Sequence, residues 1–397
     1  MKTVLLSAGD LSGEQHAAEL VRVLRRKRPE TRFVGMGGAA MAAAGVELFV
    51  DQRQLAVGGI FEVLSSLPRV IRSWRKMSRC VRETRPDVVV LVDSGGFNLP
   101  FARRVRATSK AKILYYVAPQ VWAWRPGRLG RLASRTDRIA VILPFERDFY
   151  AARGIPVDLV GHPAVDSATA VAPGGMRPGT QEARQAARER IELRPDETVL
   201  GLFPGSRRNE LARHLPLQVR AFMRLREIDP ALRELKAIVG LASTLSLTEA
   251  EAIVADCLVD APDALRFVSA EDGLALEACD VALAKPGTIT VELMLRGKPM
   301  VVMGRVHPAT ALIARRSLRV GWLSMPNLIA GAEIVPELIQ EAATRDRIVA
   351  ALAPLFEGEA RSRQIEALAI ASDRLGSAGA AERAATIVEE LFGTAPA

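Results

Sequence analysis

The stretch Val88-Val89-Val90-Leu91-Val92-Asp93-Ser94-Gly95-Gly96-Phe97-Asn98 decides the fold class of this chain. Its first five residues form an uninterrupted apolar run, which is typical of a strand buried on both faces of a parallel sheet. The polar and glycine residues that follow predict a loop that leads into a helix. The stretch therefore predicts one strand-to-helix unit of an α/β domain.

Similar apolar runs alternate with helical stretches on both sides of this strand. One series runs from residues 3–7 to residues 157–160, and a second runs from residues 198–203 to residues 299–303. Strands that are separated by helices indicate parallel sheets. We therefore expect an α/β protein with two Rossmann-like, doubly wound parallel-sheet domains that face a cleft, followed by C-terminal helices.

Turn residues and charge set the expected domain boundaries. Residues 171–196 contain Pro-Gly-Gly and Arg-Pro-Gly turns followed by a charged stretch, which predicts a linker. We expect an N-terminal domain over residues 1–170, a C-terminal domain over 197–344 and a helical tail over 345–397.

The composition excludes several protein classes. The 397 residues are 49% apolar and 25% charged, which is too apolar for a disordered chain. Three cysteines without CxxC spacing predict neither a disulfide scaffold nor a metal site. No uncharged stretch, residues 320–332 among them, reaches the roughly 20 apolar residues of a transmembrane helix. No signal peptide is expected, so we predict a cytoplasmic location.

The charge favours anionic partners. Lys and Arg number 54 against 45 Asp and Glu, a formal net charge of +9. Phosphorylated small molecules, nucleic acid and anionic membranes are all compatible with this charge. Because aromatic residues make up only 5% of the chain and no zinc-finger or RNA-binding motif is present, we expect no nucleic-acid partner.

Four loops that follow predicted strands are candidate ligand sites. They cover residues 7–14, 93–98, 203–210 and 284–292. In open parallel sheets ligands bind beyond the carboxyl ends of the strands, and helix N-termini favour anions. Each loop alone could be a structural turn or a helix cap, but four at strand ends predict a binding site.

The polar residues of these loops suggest specific chemistry. Asp93 could act as a general base, bind sugar hydroxyls or cap a helix. Arg207 with the amides of Gly205 and Ser206 predicts a phosphate cradle, and Glu292 suits the two hydroxyls of a ribose. The chain lacks the P-loop and GxSxG patterns, and no two histidines have zinc-binding spacing, so no metal site is expected.

Residues 59–79 combine apolar and basic residues at helical spacing. The segment is either a helix that lies on an anionic membrane or a core-facing helix with a solvated basic face. Its candidate membrane residues are Ile60, Phe61, Val63, Leu64, Leu67, Arg69 and Arg72.

Together these motifs resemble the lipid-A-disaccharide synthase family, inverting glycosyltransferases of the GT-B type. The most specific matches are Tyr-Val-Ala-Pro-Gln-Val-Trp-Ala-Trp-Arg at residues 116–125 and Pro-Asn-Leu-Ile-Ala-Gly at residues 326–331. The resemblance implies transfer of a diacylglucosamine unit from its UDP donor to diacylglucosamine 1-phosphate, with a β-1,6 linkage and release of UDP. It implies no cofactor and no tightly bound metal. It also implies an apolar patch that contacts the inner face of the cytoplasmic membrane, which favours the membrane interpretation of residues 59–79.

The resemblance also implies roles for individual residues. Asp93 is the candidate base, Arg207 lies near the diphosphate, and Glu292 and Asn327 lie near the nucleoside. The remaining substrate-binding candidates are Gly9, Asp10, Ser12, Gly13, Glu14, Asn98, Gln120, Trp122, Trp124, Gly205, Ser206, Gly287 and Thr288.

The chain departs from the family pattern in several places, of which the exchange of acidic residues at Asp10 and Glu14 is conservative. Gly96 replaces a second acidic residue, Ala332 replaces a basic one, and the region around Arg305 lacks a tyrosine. Two alternatives therefore remain: another UDP-sugar enzyme, such as a UDP-N-acetylglucosamine 2-epimerase or a different lipid-linked glycosyltransferase, or an inactive relative that binds UDP-sugar or membrane. The sequence does not predict the oligomeric state.

Overall fold

The computed structural model describes the chain except for residues 53–59, 125, 170–175, 259–261, 271, 309, 313–317, 319 and 394–397. The side chains of residues 60–67, 124, 126 and 262 are likewise outside the description. The predicted membrane side chains of Ile60, Phe61, Val63, Leu64 and Leu67, and the side chain of Trp124, therefore lie outside the described residues.

The first sheet is parallel and has the strand order β3-β2-β1-β4-β5-β6-β7. The strand order reverses between β1 and β4, where Val4 lies opposite Val88. Every residue of β4 is buried, as the apolar run predicts. Its strands are β1 (Thr3–Ala8), β2 (Arg32–Gly37), β3 (Glu47–Asp51), β4 (Val88–Val92), β5 (Lys112–Tyr116), β6 (Arg138–Val141) and β7 (Asp158–Leu159). Its helices are α1 (Leu11–Lys27), α2 (Ala39–Ala43), α3 (Ile60–Thr84), α4 (Gly95–Thr108), α5 (Val121–Trp124), α6 (Leu129–Arg135) and α7 (Pro144–Ala151).

The second sheet is also parallel, with the order β10-β9-β8-β11-β12-β13 and a reversal between β8 and β11. Its strands are β8 (Val199–Phe203), β9 (Lys236–Leu241), β10 (Leu265–Ser269), β11 (Val281–Ala284), β12 (Met300–Gly304) and β13 (Glu337–Ile339). The helices that follow α7 in the chain are α8 (Pro163–Thr169), α9 (Gln181–Arg190), α10 (Arg208–Ile228), α11 (Leu247–Val254), α12 (Leu274–Ala278), α13 (Ile289–Leu295), α14 (Met325–Ala330), α15 (Arg345–Leu352), α16 (Gly358–Asp373) and α17 (Ala380–Gly393). The prediction of two doubly wound parallel-sheet domains is confirmed.

The chain forms two compact units whose boundaries differ from the sequence expectation. The first unit comprises mainly Met1–Pro163 and the C-terminal stretch from Ser377, and the second comprises mainly Ala164–Arg316 and Val320–Gly376. The expected linker, 171–196, contains helix α9, which belongs to the second unit. Its Arg188 is fully buried because it pairs with Asp280 at 2.8 Å and donates to three backbone carbonyls.

The helical tail is divided between the units. Helices α15 and α16 lie in the second unit, whereas α17 packs on α1 of the first. The apolar face of α17 shares the core with α1, and its Glu389 carboxylate accepts from Lys27 Nζ at 2.8 Å and Arg28 Nε at 3.1 Å. Within the described residues, no helix is both long and apolar enough to cross a membrane.

Candidate functional site

Two loops meet at the strand-order reversal of the first sheet. Asp10 precedes α1, and its carboxylate accepts from the Gly13 N–H at 2.7 Å and from Ser94 Oγ at 3.3 Å. A Cβ at Gly9 would lie 2.5 Å from Ser94 Oγ, so the close approach of the loops requires glycine there. The predicted crevice beyond β1 and β4 is thus lined by residues of both sequence motifs.

Asp93 occupies an unusual backbone conformation at the end of β4. Its φ is +43° and that of Ser94 is +42°, the left-handed region that non-glycine residues adopt at an energetic cost. The surrounding structure holds this geometry, since Tyr115 Oη donates to the Asp93 carbonyl at 2.6 Å and Asn98 Nδ2 donates to it at 3.1 Å. The Asp93 side chain is half-buried. Strain of this kind concentrates at functional sites, where it fixes the direction of a side chain.

Two predicted substrate-binding residues are instead committed to the protein. Asn98 is fully buried: its Oδ1 accepts from Ser7 Oγ at 2.7 Å, and its Nδ2 donates to three backbone carbonyls. Glu14 is buried too, and its carboxylate accepts from the Ala40 N–H at 2.7 Å and from Gln52 Nε2. These hydrogen bonds are made within the protein, as is usual for buried polar groups, and a role of either residue in substrate binding stays a prediction. Asn98 positions Asp93, and Glu14 holds the loops after β2 and β3.

The aromatic motif after β5 has a similar structural role. Trp122 is buried, donates from Nε1 to Glu146 at 2.9 Å and packs edge-on against Phe145 with ring centroids 4.8 Å apart. Burial raises the pKa of Glu146 to about 7, although Trp122 and two backbone N–H groups oppose the shift. Trp122 thus stabilises the loop, and its predicted role in substrate binding stays a prediction. Gln120 is exposed in the same loop and remains a candidate.

Two histidines that spacing alone did not connect lie close to the first loop. Ser12 Oγ is 3.3 Å from His16 Nε2, within hydrogen-bond distance. Burial, together with nearby His16, lowers the pKa of His162 to about 3, so His162 is neutral at physiological pH. His162 follows the end of β7 by three residues, and its side chain is buried.

The loop after β8 brings cations to the strand-order reversal of the second sheet. Glu210 accepts from the Ser206 N–H at 3.1 Å and from Lys285 Nζ at 3.1 Å, and it lies 3.6 Å from Arg207. Burial raises the pKa of Glu210, but Lys285 and Arg207 outweigh it and lower that pKa below its ordinary value. The Ser206 amide is therefore engaged within the loop, and its part in a phosphate cradle stays a prediction. The Arg207 side chain is 57% exposed and remains accessible to an anion.

A carboxylate, that of Glu292, follows β11, the strand adjacent to β8 in the sheet. Thr288 precedes α13, and Gly287 has a φ of +150°, which favours glycine. The Glu292 side chain is 34% exposed and lies 3.9 Å from Arg296. Burial raises the pKa of Glu292, and Arg296 partly opposes the shift. A guanidinium after β8 and a carboxylate after the adjacent β11 suit a ligand with a diphosphate and vicinal hydroxyls.

Asn327 lies in α14, and its polar atoms are bound within the protein. It is fully buried: its Oδ1 accepts from the N–H groups of Ile334 and Val335 at 2.7 and 2.9 Å, and its Nδ2 donates to Glu337 at 2.9 Å. The side chain fixes the turn between α14 and β13, and its contact with the nucleoside stays a prediction. Across the described ranges, no group of three or more His, Cys, Asp or Glu could hold a metal ion.

Comparisons with known proteins concern the family and, separately, the fold. A family model described as "Lipid-A-disaccharide synthetase" matches residues 4–389. The lipid-A-disaccharide synthase of Geobacter metallireducens is 38% identical over 395 residues, which cover 99% of this chain and 98% of that protein. Among solved structures, S. aureus MnaA with UDP has a TM-score of 0.67 at 13% identity, covering 99% of this chain and 97% of that one. The calicheamicin glycosyltransferase CalG4 has a TM-score of 0.58 at 17% identity, covering 99% and 98%.

Proposed function

This chain belongs to the lipid-A-disaccharide synthase family, and from that premise we propose which of its residues carry out the transfer. The protein is a glycosyltransferase that forms the lipid A disaccharide from a UDP-sugar donor and a lipid-linked acceptor. It moves a 2,3-diacylglucosamine unit onto 2,3-diacylglucosamine 1-phosphate and releases UDP. The family match over nearly the whole chain favours this activity over the epimerase and inactive-relative alternatives.

An inverting transfer needs two kinds of assistance. The acceptor hydroxyl attacks the anomeric carbon and loses its proton to a base, while the UDP diphosphate leaves with a growing negative charge. Asp93 takes the hydroxyl proton. Arg207 stabilises the departing diphosphate, with Lys285 adding positive charge beside it, and Glu292 accepts hydrogen bonds from the ribose hydroxyls.

The observation that carries this proposal is the geometry of Asp93. It lies at the strand-order reversal of the first sheet, its strained backbone is held by Tyr115 and Asn98, and its carboxylate is only half-buried. A base must be held in one direction and still reach its substrate, and this combination meets both needs.

The experiment that tests the proposal is Asp93→Asn, which removes the base but keeps the shape of the side chain. We expect turnover to fall by about 10² or more, the usual contribution of general-base catalysis, with UDP affinity unchanged. The matched control is Asp148→Asn, an exposed aspartate on α7 whose loss should change neither quantity. Turnover of Asp93→Asn within about threefold of wild type would remove Asp93 from the mechanism.

The membrane is the proposed location of the acceptor. Helix α3 presents the exposed arginines Arg69, Arg72 and Arg75, and the side chain of Ile71 between them is 42% exposed. Apolar area beside positive charge suits the headgroup region of an anionic bilayer. We infer that α3 docks the enzyme on the inner face of the cytoplasmic membrane.

A further inference from the structure

A basic cavity on the first unit takes no part in the catalytic proposal. It has a volume of about 570 Å³ and is bounded by α3, α4 and α6. Arg103 and Arg104 enter it from α4, Arg131 and Arg135 from α6, and Trp74 from α3. The lining contains no carboxylate, and none of the four candidate loops contributes to it.

The four arginines are poorly compensated within the described part of the chain. None of them forms an ion pair with a described carboxylate. Arg135 donates from Nη1 to the Leu99 carbonyl at 2.9 Å, whereas the buried Nε of Arg104 has no hydrogen-bond partner there. Burial and the nearby charges of Arg103 and Arg131 lower the pKa of Arg135. Like charges that converge in a partly buried site destabilise one another, and an anion bound between them would relieve this repulsion.

A second basic cavity shows the contrast. It has a volume of about 680 Å³ and lies at the opposite ends of β1, β4 and β5. There Lys2 donates to Asp87 at 2.9 Å, and Lys112 lies 3.7 Å from Asp137. The protein itself partly neutralises that cavity, so it has less need of an external anion.

We propose that the arginine cavity of α3, α4 and α6 binds the phosphate of an anionic phospholipid headgroup. Guanidinium groups bind phosphate oxygens in a bidentate fork, and the volume falls in the range of small-ligand sites. Trp74, whose ring is 6.0 Å from the Arg104 guanidinium, supplies the amphipathic aromatic side chain that is common at headgroup level. Because α3 forms both this wall and the arginine face described above, the inference rests on the membrane part of the proposed function.

The test uses the full-length protein and a soluble lipid. Dihexanoylphosphatidylglycerol, kept below its micelle concentration, is titrated into wild type and into Arg103→Gln/Arg131→Gln by calorimetry. We expect saturable 1:1 binding to wild type and about 30-fold weaker binding to the variant, since each basic residue near an anionic lipid contributes about fivefold. The matched control, Arg213→Gln/Arg220→Gln, removes the same charge from exposed positions of α10 and should bind like wild type.

Three results would overturn the inference: no saturable binding by wild type, equal weakening in the control, or inorganic phosphate binding as tightly as the lipid. The last result would assign the cavity to free phosphate. Arg103 and Arg131 are exposed, so both variants should retain the wild-type thermal unfolding midpoint. The titration of the wild-type protein does not depend on the variants. Vesicle docking by α3 is measured separately with variants of Arg69, Arg72 and Arg75, and catalysis is measured with Asp93→Asn. If either of those predictions fails, the lipid titration still tests the cavity independently.

Discussion

Arg207 and Arg208 are adjacent in sequence but have different surroundings. Arg208 binds Glu249 at 2.5 Å, whereas Arg207 lies 3.6 Å from Glu210 and stays accessible. We expect Arg207→Ala to weaken UDP binding by about 1.5–3 kcal/mol, the range for hydrogen bonds to charged groups, and Glu292→Ala to have a similar effect. Calorimetric titration with UDP measures both. Arg208→Ala is the matched control and should stay within about threefold of wild type, so equal losses in the two arginine variants would contradict the assignment.

His162 makes the stability of the enzyme depend on pH. Its pKa is about 3 in the folded protein against an ordinary value of 6.5, so below pH 6.5 the unfolded chain binds a proton that the folded chain does not. The contribution of neutral His162 to the free energy of unfolding is therefore fully present above pH 6.5, and it is lost as the pH falls towards 3. Between pH 7 and pH 5 the loss attributable to His162 is about 2 kcal/mol.

Urea unfolding of His162→Gln at the two pH values checks this expectation. The variant should lose about 2 kcal/mol less than wild type on acidification, while His307→Gln, at an exposed loop position, should respond like wild type. An unchanged response in His162→Gln would mean that other groups determine the acid sensitivity.

The candidate site could be located from the sequence more reliably than its side chains could be assigned. Asp93 and Arg207 follow apolar strands, and the structure places both at strand-order reversals. Asn98, Glu14 and Asn327 occupy equally suggestive positions, yet their side chains turn inward. They do so because the buried backbone groups of sharp loops need hydrogen-bond partners, and a linear motif does not show whether a polar side chain serves the protein or the ligand.

At the level of single elements, α3 carries the most direct test of membrane docking. The change Arg69→Glu/Arg72→Glu/Arg75→Glu reverses the charge of its exposed face, and we expect vesicle binding to fall in proportion to the anionic lipid content. Added salt should have the same effect on wild type, because exposed charges are screened. Co-sedimentation with phosphatidylglycerol vesicles measures both effects.

The apolar change Phe61→Ser/Leu64→Ser separates docking from acyl-chain recognition. This variant should lose activity on long-chain substrates more than on short-chain analogues. The charge variant, in contrast, should lose binding to anionic vesicles. Folded variants that sediment and discriminate chain length like wild type would make α3 an ordinary core helix.

Helix α9 illustrates why a charged segment can be misread. Residues 181–190 are rich in charge and follow glycine and proline turns, so they predict a solvated linker. In the structure Arg188 is buried beside Asp280, and Arg184 binds the same carboxylate at 2.5 Å. Asp280 directly precedes β11 and is 92 residues from Arg188 in the sequence, so no local pattern could identify it as the partner of Arg188.

In the whole molecule, the two sheets repeat one topological device. In each sheet the first three strands run outward to one edge, and the fourth strand lies on the other side of the first. The strand order therefore reverses between β1 and β4 and between β8 and β11. The alternating runs of the sequence predict doubly wound sheets. Such a sheet contains a reversal because right-handed crossovers cover both faces only when the strand order changes direction. The same runs do not predict which unit each C-terminal helix belongs to. The apolar face of a helix indicates that the face is buried but not which sheet it packs against.

Two leucines of the tail test that assignment. Leu391 of α17 is buried in the core of the first unit, and Leu368 of α16 is fully buried in the second. Replacing a buried leucine by alanine costs about 2–5 kcal/mol. Leu391→Ala should therefore speed amide hydrogen exchange in β4 by about 30-fold or more and leave β8 protected, and Leu368→Ala should do the reverse. Each variant is the other's control because the substitution is the same and only the unit differs. Equal loss of protection in both sheets would show that the units unfold together. It would contradict the prediction that α16 and α17 each stabilise only the sheet of their own unit.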